Sequence, residues 1–454
     1  MRAFSEGHPT LTTAFLSLWG LGAAGAYFLA HYQGWYEDRP ARDIGFALAL
    51  GLWLVVLMRL PRLSKRYVWP RMTLIALSLG ASLFIAEAGL RHFEPFYVVA
   101  PNLRYTFDIN PEILPGLHGP NRYSTDALGI RGTTPYADIP DGAYRVLAVG
   151  ASTTEEYFID DRETWTHLTE AHAQAAGYPL WLGNLGKSAH NTHHHYLTLR
   201  YFVSALDVDM VLMLVGINDA VLSLTSPENN RSDILKGQQD PAFRWTYAVY
   251  NFHTLPWRVA HRPHTYALME TIIAASKRLS PKAETRLPSK LAAYIVDSSA
   301  NFYQQRRQEW QAAPVTLTSL PANFEADLAI YRRNLHLLAD EAQAQGWRLV
   351  FMTQPTIHRP DLPASFQAYL WMGYAYNLGP ARYAPGTMAD IMAAYNGVVL
   401  EVCAERGLAC IDLAAEVPKE TRYFYDDVHF TELGSQKVAE AVWENLRPLL
   451  PAND

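Results

Sequence analysis

Three long runs without a charged side chain occupy most of the first ninety positions. Residues 11–30 (LTTAFLSLWGLGAAGAYFLA) and 44–58 (IGFALALGLWLVVLM) carry no charge, and 72–86 (MTLIALSLGASLFIA) begin a third run that continues through Glu87 to Leu90. A helix needs roughly 20 apolar residues to cross a bilayer, and tilt or local thinning absorbs small mismatches. Three such runs flanked by Trp, Tyr and Arg predict a membrane domain at 1–91, with transmembrane helices at about 11–30, 44–60 and 72–90. A cleavable leader at the first run would have a shorter apolar core and a more basic start than Arg2 alone. The 59–71 loop holds Arg59, Arg62, Lys65, Arg66 and Arg71 and no acid, whereas the segment between the first two runs sets Glu37, Asp38 and Asp43 against Arg39 and Arg42. Basic loops stay in the cytoplasm, so the N-terminus is expected inside and everything after residue 91 outside. Small residues at helix-packing spacing, Gly20 with Ala24 and Gly22 with Ala26, fit association with other membrane proteins.

The remaining chain has a different rhythm. Residues 92–143 read as a connecting segment, and from 144 onward short apolar runs alternate with helical patterns. YRVLAVG (144–150), PLWLGNLG (179–186), DMVLMLVG (209–216), WRLVFMTQP (347–355) and LACIDLA (408–414) are strand candidates. Helices are predicted at 153–176, 324–345 with Gly346 as its stop, 388–404 and about 432–449. This alternation predicts an α/β fold over 144–454, a parallel sheet covered on both faces. Two insertions interrupt it. One spans about 225–323 and includes Trp245, Tyr247, Tyr250, Phe252 and Trp257; the other spans 359–387 with Tyr369, Trp371, Tyr374 and Tyr376. Both are expected over the carboxyl edge of the sheet, where such folds bind ligands. The net charge of −6 gives no reason to expect a nucleic-acid partner. Cys403 and Cys410 flank a helix-to-strand turn, where a disulfide and a pair of buried thiols are equally compatible with the spacing.

Polar residues collect where the strands end. Gly150-Ala151-Ser152 follows the first, Asn184-Leu185-Gly186 closes the second, Gly216, Asn218 and Asp219 follow the third, and YDDVHFTELG with Asp426 and His429 follows the fifth. The carboxyl ends of parallel strands lie on one edge, so these groups converge. Ser152-Thr-Thr-Glu155 also reads as a capping box at a helix start. A second cluster, AHNTHHHY, holds His190, His193, His194 and His195, but no completing set of metal ligands accompanies it, and His190 could instead line a cleft.

The serine, glycine, asparagine and histidine blocks resemble the SGNH branch of the GDSL hydrolases, over roughly 120–450 outside the insertions. The resemblance maps the four name residues to Ser152, Gly186, Asn218 and His429, with Asp426 as the acid of an Asp-x-x-His block. The three-span N-terminus is similar to that of membrane-anchored bacterial members, which places the exported domain in the periplasm or at the cell surface. Such members carry an Asn-x-x-Gly-x-Arg element; the matching stretch here runs from Asp126 through Gly129 to Arg131 and reads on its own as a surface turn. One block departs: Ala151 stands where the family has aspartate, which puts support of the nucleophile loop in question.

The resemblance implies a flavodoxin-like three-layer α/β/α domain and a serine esterase acting through an acyl-enzyme, with no cofactor and no metal. Ser152 would be the nucleophile, His429 the base and Asp426 its orienting acid, with the amides of Ser152 and Gly186 and the side chain of Asn218 as oxyanion donors. The expected partners are an acyl-ester substrate, carried by an envelope glycan, lipid or related metabolite, and the membrane itself. The same site could instead pass the acyl group to a sugar hydroxyl, as an O-acyltransferase does. A non-enzymatic alternative is an accessory subunit of a membrane complex that keeps a hydrolase-like fold.

Overall fold

The structure, a computed structural model, describes residues 98–99, 102–225, 232–239, 302–375 and 380–451. The three apolar N-terminal runs, the 59–71 loop and the aromatic stretch from Trp245 to Trp257 lie outside the described residues. Among the described residues no helix is long and apolar enough to cross a membrane.

The strands, in chain order, are β1 (Arg104–Phe107), β2 (Asn121–Ser124), β3 (Tyr144–Gly150), β4 (Leu180–Gly186), β5 (Met210–Leu214), β6 (Val315–Leu317), β7 (Arg348–Met352), β8 (Tyr374–Ala375), β9 (Ala381–Tyr383) and β10 (Ala409–Ile411). β3, β4, β5, β7 and β10 form one parallel sheet in the order β10-β7-β5-β3-β4. Counted along the chain, this is the 2-1-3-4-5 order of flavodoxin-like folds. The chain leaves β3 for β4 on one side and returns to β5 on the other. The crevice at the carboxyl ends of β3 and β5 is therefore the switch point, and Ser152 and Asn218 follow those two strands.

The strands are buried on both faces, which explains their unbroken apolar runs. Leu147, Val149, Val211, Met213 and Phe351 pack on one face with Leu335 and Leu338 of the helix Phe324–Gln345 and Ile391 and Val399 of the helix Pro385–Arg406. Val146, Ala148, Leu212, Leu214 and Val350 pack on the other with Trp165 of Trp165–Ala175 and Val438 and Val442 of Glu432–Leu446. The alternation of side chains along each strand distributes these residues between the two layers.

The helix predicted at 153–176 is two helices. A single turn, Ser152–Glu155, ends at Glu156 in the left-handed conformation (φ 47°), and Trp165–Ala175 restarts after a loop, capped by the Thr164 hydroxyl. The break is held from outside by Arg131, described below. The two insertions share a small second sheet, because β6 of the first pairs with β9 of the second, and β9 with β8.

Burial drives the Glu156 carboxyl up to about 8, while its Oε2 accepts the Trp165 amide at 2.7 Å. Burial also raises Glu170 to about 7 and Asp219 to about 7. For each, the unfolded chain ionises at lower pH than the native protein. The associated stability is fully present below the unfolded value near 4.5 or 3.8 and is lost as pH rises through the folded value. Glu156→Gln keeps an acceptor for the Trp165 amide and removes the ionisation. Its stability should rise relative to the unsubstituted protein between pH 5 and 8, by about 4 kcal/mol at the upper end. Urea unfolding at several pH values checks this; parallel curves for the two proteins would refute it.

Of the two cysteine readings, the structure has the disulfide: Cys403 and Cys410 are bonded, with Cα atoms 6.2 Å apart, tying the last turn of the helix Pro385–Arg406 to β10. Closing so short a loop should stabilise the fold by about 2 kcal/mol. A reductant should therefore lower the melting temperature, and the Cys403→Ser/Cys410→Ser double variant should melt at that lower temperature with or without reductant.

Candidate active site

Ser152 leaves β3 on the turn Ala151-Ser152, and its Oγ lies 2.7 Å from His429 Nε2. His429 Nδ1 lies 2.7 Å from Asp426 Oδ2. A ring nitrogen facing a carboxylate carries the proton, so these partners assign Nδ1 as donor and leave Nε2 to accept from the serine hydroxyl. Asp426 is fully buried and accepts four hydrogen bonds. Oδ1 takes the amides of Val428 (3.0 Å) and His429 (2.9 Å); Oδ2 takes the His429 ring and the Trp371 indole Nε1 (2.9 Å). Burial alone would push this carboxyl up. The His429 ring and the donors from Trp371 and Val428 outweigh it and hold Asp426 below the usual carboxylate range. The bridge between Phe424 and Phe430 and the bond from Tyr425 N to His429 O (3.0 Å) fix the turn that carries both residues.

The predicted capping box does not form. Ala151 is the N-cap and makes no side-chain cap bond. The Ser152 hydroxyl is engaged by His429, and the Glu155 carboxylate points to the turn after β4, where Ser188 N donates to Oε2 at 2.6 Å and Lys187 Nζ to Oε1 at 3.3 Å. Ser188 Oγ also donates to Glu155, and Tyr123 OH reaches it at 3.3 Å. With alanine at 151, buried Glu155 ties the serine turn to the neighbouring strand end.

Gly186 has a different role from the expected one. Its amide donates to Asn184 Oδ1 at 2.9 Å, so it is not a free oxyanion donor. Glycine is required there for space: a Cβ would sit 2.1 Å from the Glu155 amide nitrogen. The backbone that faces Asn218 comes three to four residues later. Asn218 Nδ2 donates to His190 O at 2.8 Å, using one of its two N–H bonds. Between Ser188, pinned by Glu155, and His190, pinned by Asn218, sits Ala189 with φ 65°, a left-handed conformation that costs an alanine roughly 1–2 kcal/mol. Such strain is characteristic of backbone over-determined at functional sites.

The histidine cluster is buried on the helix Thr192–Tyr201 and just before it. The rings of His190 and His194 stack at 4.6 Å, and His194 Nδ1 accepts the Asn191 amide at 3.1 Å. Burial lowers all four, His193 to about 4 and His195 to about 3, so these are neutral core rings. Among the described residues no group of three or more His, Cys, Asp or Glu side chains is arranged to hold a metal ion.

Residues 148–437 match the GDSL-like Lipase/Acylhydrolase family. The chain belongs to that family. As a GDSL-like acylhydrolase it is a serine hydrolase acting on ester bonds. A comparison with curated proteins finds no match. Among solved structures it is similar to LAE5, an alpha/beta hydrolase enzyme from the metagenome of Lake Arreo, Spain, at 13% identity over 68% of this chain and 98% of that one, with a TM-score of 0.36. It is similar to TesA at 15% identity over 67% and 99% of the two chains, with a TM-score of 0.34. It is similar to Axe2, an acetylxylan esterase from Geobacillus stearothermophilus, at 14% identity over 68% and 95%, with a TM-score of 0.35.

The candidate site has two supports that sequence reasoning missed. The Asp126–Arg131 stretch is not a surface turn. Asp126 accepts the amides of Leu128, Ile130 and Tyr136 at 2.8–2.9 Å, and buried Arg131 exchanges backbone hydrogen bonds with Asn184 on edge strand β4. The Arg131 guanidinium bonds the carbonyls of Glu155, Glu156 (2.8 Å) and Ile159 (2.5 Å), and pairs with Asp161 at 2.9 Å. It thereby satisfies the carbonyls released where the serine helix stops. The Asp-x-x-Gly-x-Arg spacing was a readable signal. The second support, Trp371, belongs to the 359–387 insertion expected over the carboxyl edge, but nothing in its sequence pointed to a bond with Asp426.

Proposed function

We propose that Ser152 is the nucleophile of a membrane-anchored, extracytoplasmic esterase that cleaves an acyl or acetyl ester of an envelope glycan, lipid or related metabolite. The observation that carries this reading is the continuous chain Ser152–His429–Asp426, with both links at 2.7 Å. His429 takes the hydroxyl proton as Ser152 Oγ attacks the ester carbonyl, then gives it to the departing alcohol. Water repeats the sequence to release the acid and restore Ser152. Asp426 holds the imidazole in the tautomer this requires. The amides of Ser152 and Ala189 and the second N–H of Asn218 stabilise the oxyanion, each donor lowering the barrier by roughly 3 kcal/mol. No cofactor takes part. The disulfide supports an oxidising compartment, and the basic 59–71 loop supports an exported domain tethered to the inner membrane by three helices. Those helices would contact the lipid bilayer and, through their small-residue faces, other membrane proteins.

The test is covalent. A fluorophosphonate should modify the folded protein once, and peptide mass spectrometry should find the adduct on the peptide containing Ser152. A folded protein left unmodified there would sink the proposal. Protease accessibility of residues 98–451 in intact cells and in spheroplasts tests the location, and comparing acetyl with long-chain esters narrows the acyl group.

A further inference from the structure

We propose that Trp371 is a positioning residue of the Ser152–His429–Asp426 centre and that Asp427 fastens it there. The inference rests on the reading of that centre as catalytic. Adjacent carboxylates divide the work. Asp426 Oδ2 accepts both His429 Nδ1 at 2.7 Å and Trp371 Nε1 at 2.9 Å. Asp427 Oδ2 accepts the backbone amides of Trp371 at 2.8 Å and Met372 at 3.2 Å. Asp427 Oδ1 lies 3.3 Å from His358 Nε2, and its carbonyl accepts the Ile357 amide at 3.0 Å. Asp427 and His358 are both buried. The 359–387 insertion is thus pinned to the acid–base turn by backbone and side chain at one residue.

The geometry gives this a consequence for the base. A carboxylate that shares one oxygen between an imidazole and an indole, with its other oxygen on two amides, cannot rotate about its Cβ–Cγ bond without losing donors. The plane in which it holds His429 is therefore set partly by Trp371. The indole lies almost parallel to the imidazole (9°, centroids 6.3 Å), and Tyr425 stacks on the same ring at 5.4 Å and 10°. Tyr303 closes the site edge-on, 5.9 Å from Trp371 and 6.4 Å from His429. The polar and titratable groups around His429 are thus Ser152, Asp426, Trp371, Tyr303 and Tyr425, with Arg307 over the Tyr303 ring at 5.5 Å and the Asp427–His358 pair behind Trp371.

Trp371→Phe keeps the ring and removes the donor. A carboxylate relieved of one donor holds a protonated imidazole more tightly. The variant should lose about tenfold in kcat with KM within about twofold, and the acid limb of its kcat/KM profile should move upward by several tenths of a pH unit. Asp427→Ala, which leaves no acceptor for the Trp371 amide, should lower kcat likewise, and the double variant should fall short of the product of the two. A Trp371→Phe enzyme with unchanged kcat and an unmoved acid limb overturns the proposal, as does a uniform loss of kcat with no movement of the limb. Should the variant not fold, the full-length unsubstituted protein with 15N-labelled tryptophan gives a second reading. One indole N–H resonance should shift when fluorophosphonate modifies Ser152, because the charge on its acceptor changes partner, and a spectrum in which none moves overturns it. If the unsubstituted protein does not react with fluorophosphonate, the reading of the centre fails instead.

Discussion

Ser152→Ala should leave a folded protein whose kcat/KM on a simple ester is roughly four to six orders of magnitude lower. The substitution removes the hydroxyl that His429 Nε2 meets across the site at 2.7 Å, and with it the covalent intermediate. Removing the nucleophile or the base of such a chain costs about as much as removing all three members, because they act as one unit. What survives is binding and the oxyanion donors acting on attack by water. Thermal stability should change little, since Ser152 is half-buried and, among the described residues, its hydroxyl bonds only His429. Ester turnover and a thermal melt on the same preparation check both halves. Activity within about tenfold of the unsubstituted protein would mean the nucleophile lies elsewhere.

Arg131→Ala should destabilise the domain by about 3–5 kcal/mol. Arg131 is 2% exposed, and its loss leaves buried Asp161 with only the exposed Arg122, its Nε 3.9 Å away, as a cation. Ser124 still donates to both Asp161 oxygens, N at 3.0 Å and Oγ at 2.5 Å, but neither donor neutralises the charge. The carbonyls of Glu155 and Ile159 lose the guanidinium, while that of Glu156 keeps the Ile159 amide at 2.9 Å. Buried groups deprived of a partner bear the full desolvation cost. Arg131→Lys should recover only a minor part, because one ammonium cannot span carbonyls that a planar five-donor fork reaches. Urea unfolding gives the number. A loss under about 1 kcal/mol would show that the 155–161 loop holds itself. The two substitutions separate the site's chemistry from its scaffold: the first should leave the fold and remove turnover, the second should weaken the fold first.

The fold was legible because its signals are local. Five apolar runs with helical patterns between them identify a parallel sheet, and each observed strand of that sheet falls within its expected run. Ser152, Asn218, Asp426 and His429 were legible as candidates because each follows a strand whose end faces the same edge. The assignment of Gly186 as a donor failed for a local reason of another kind. Asn184, two residues earlier, folds back onto its amide, and no residue pattern announces which of several amides in a turn is left over. The capping box failed because Ser152 and Glu155 had long-range partners that outcompeted the local ones, at sequence separations of 277 and 33.

By itself the sequence determined the five strands of the parallel sheet, the two-faced burial of that sheet and the set of polar residues delivered to its carboxyl edge. These depend on side-chain periodicity and chain connectivity, which are written residue by residue. The tertiary structure alone decided which of those groups meet. It stopped the serine helix after one turn by aiming Arg131 at its carbonyls, and gave Glu155 the task of holding the 187–190 turn. It also brought Trp371, 55 residues from Asp426 in the chain, within 2.9 Å of that carboxylate. The physical reason is the same in each case. A buried donor or acceptor must find a partner, and in a packed interior that partner is chosen by proximity in space, which local sequence does not encode.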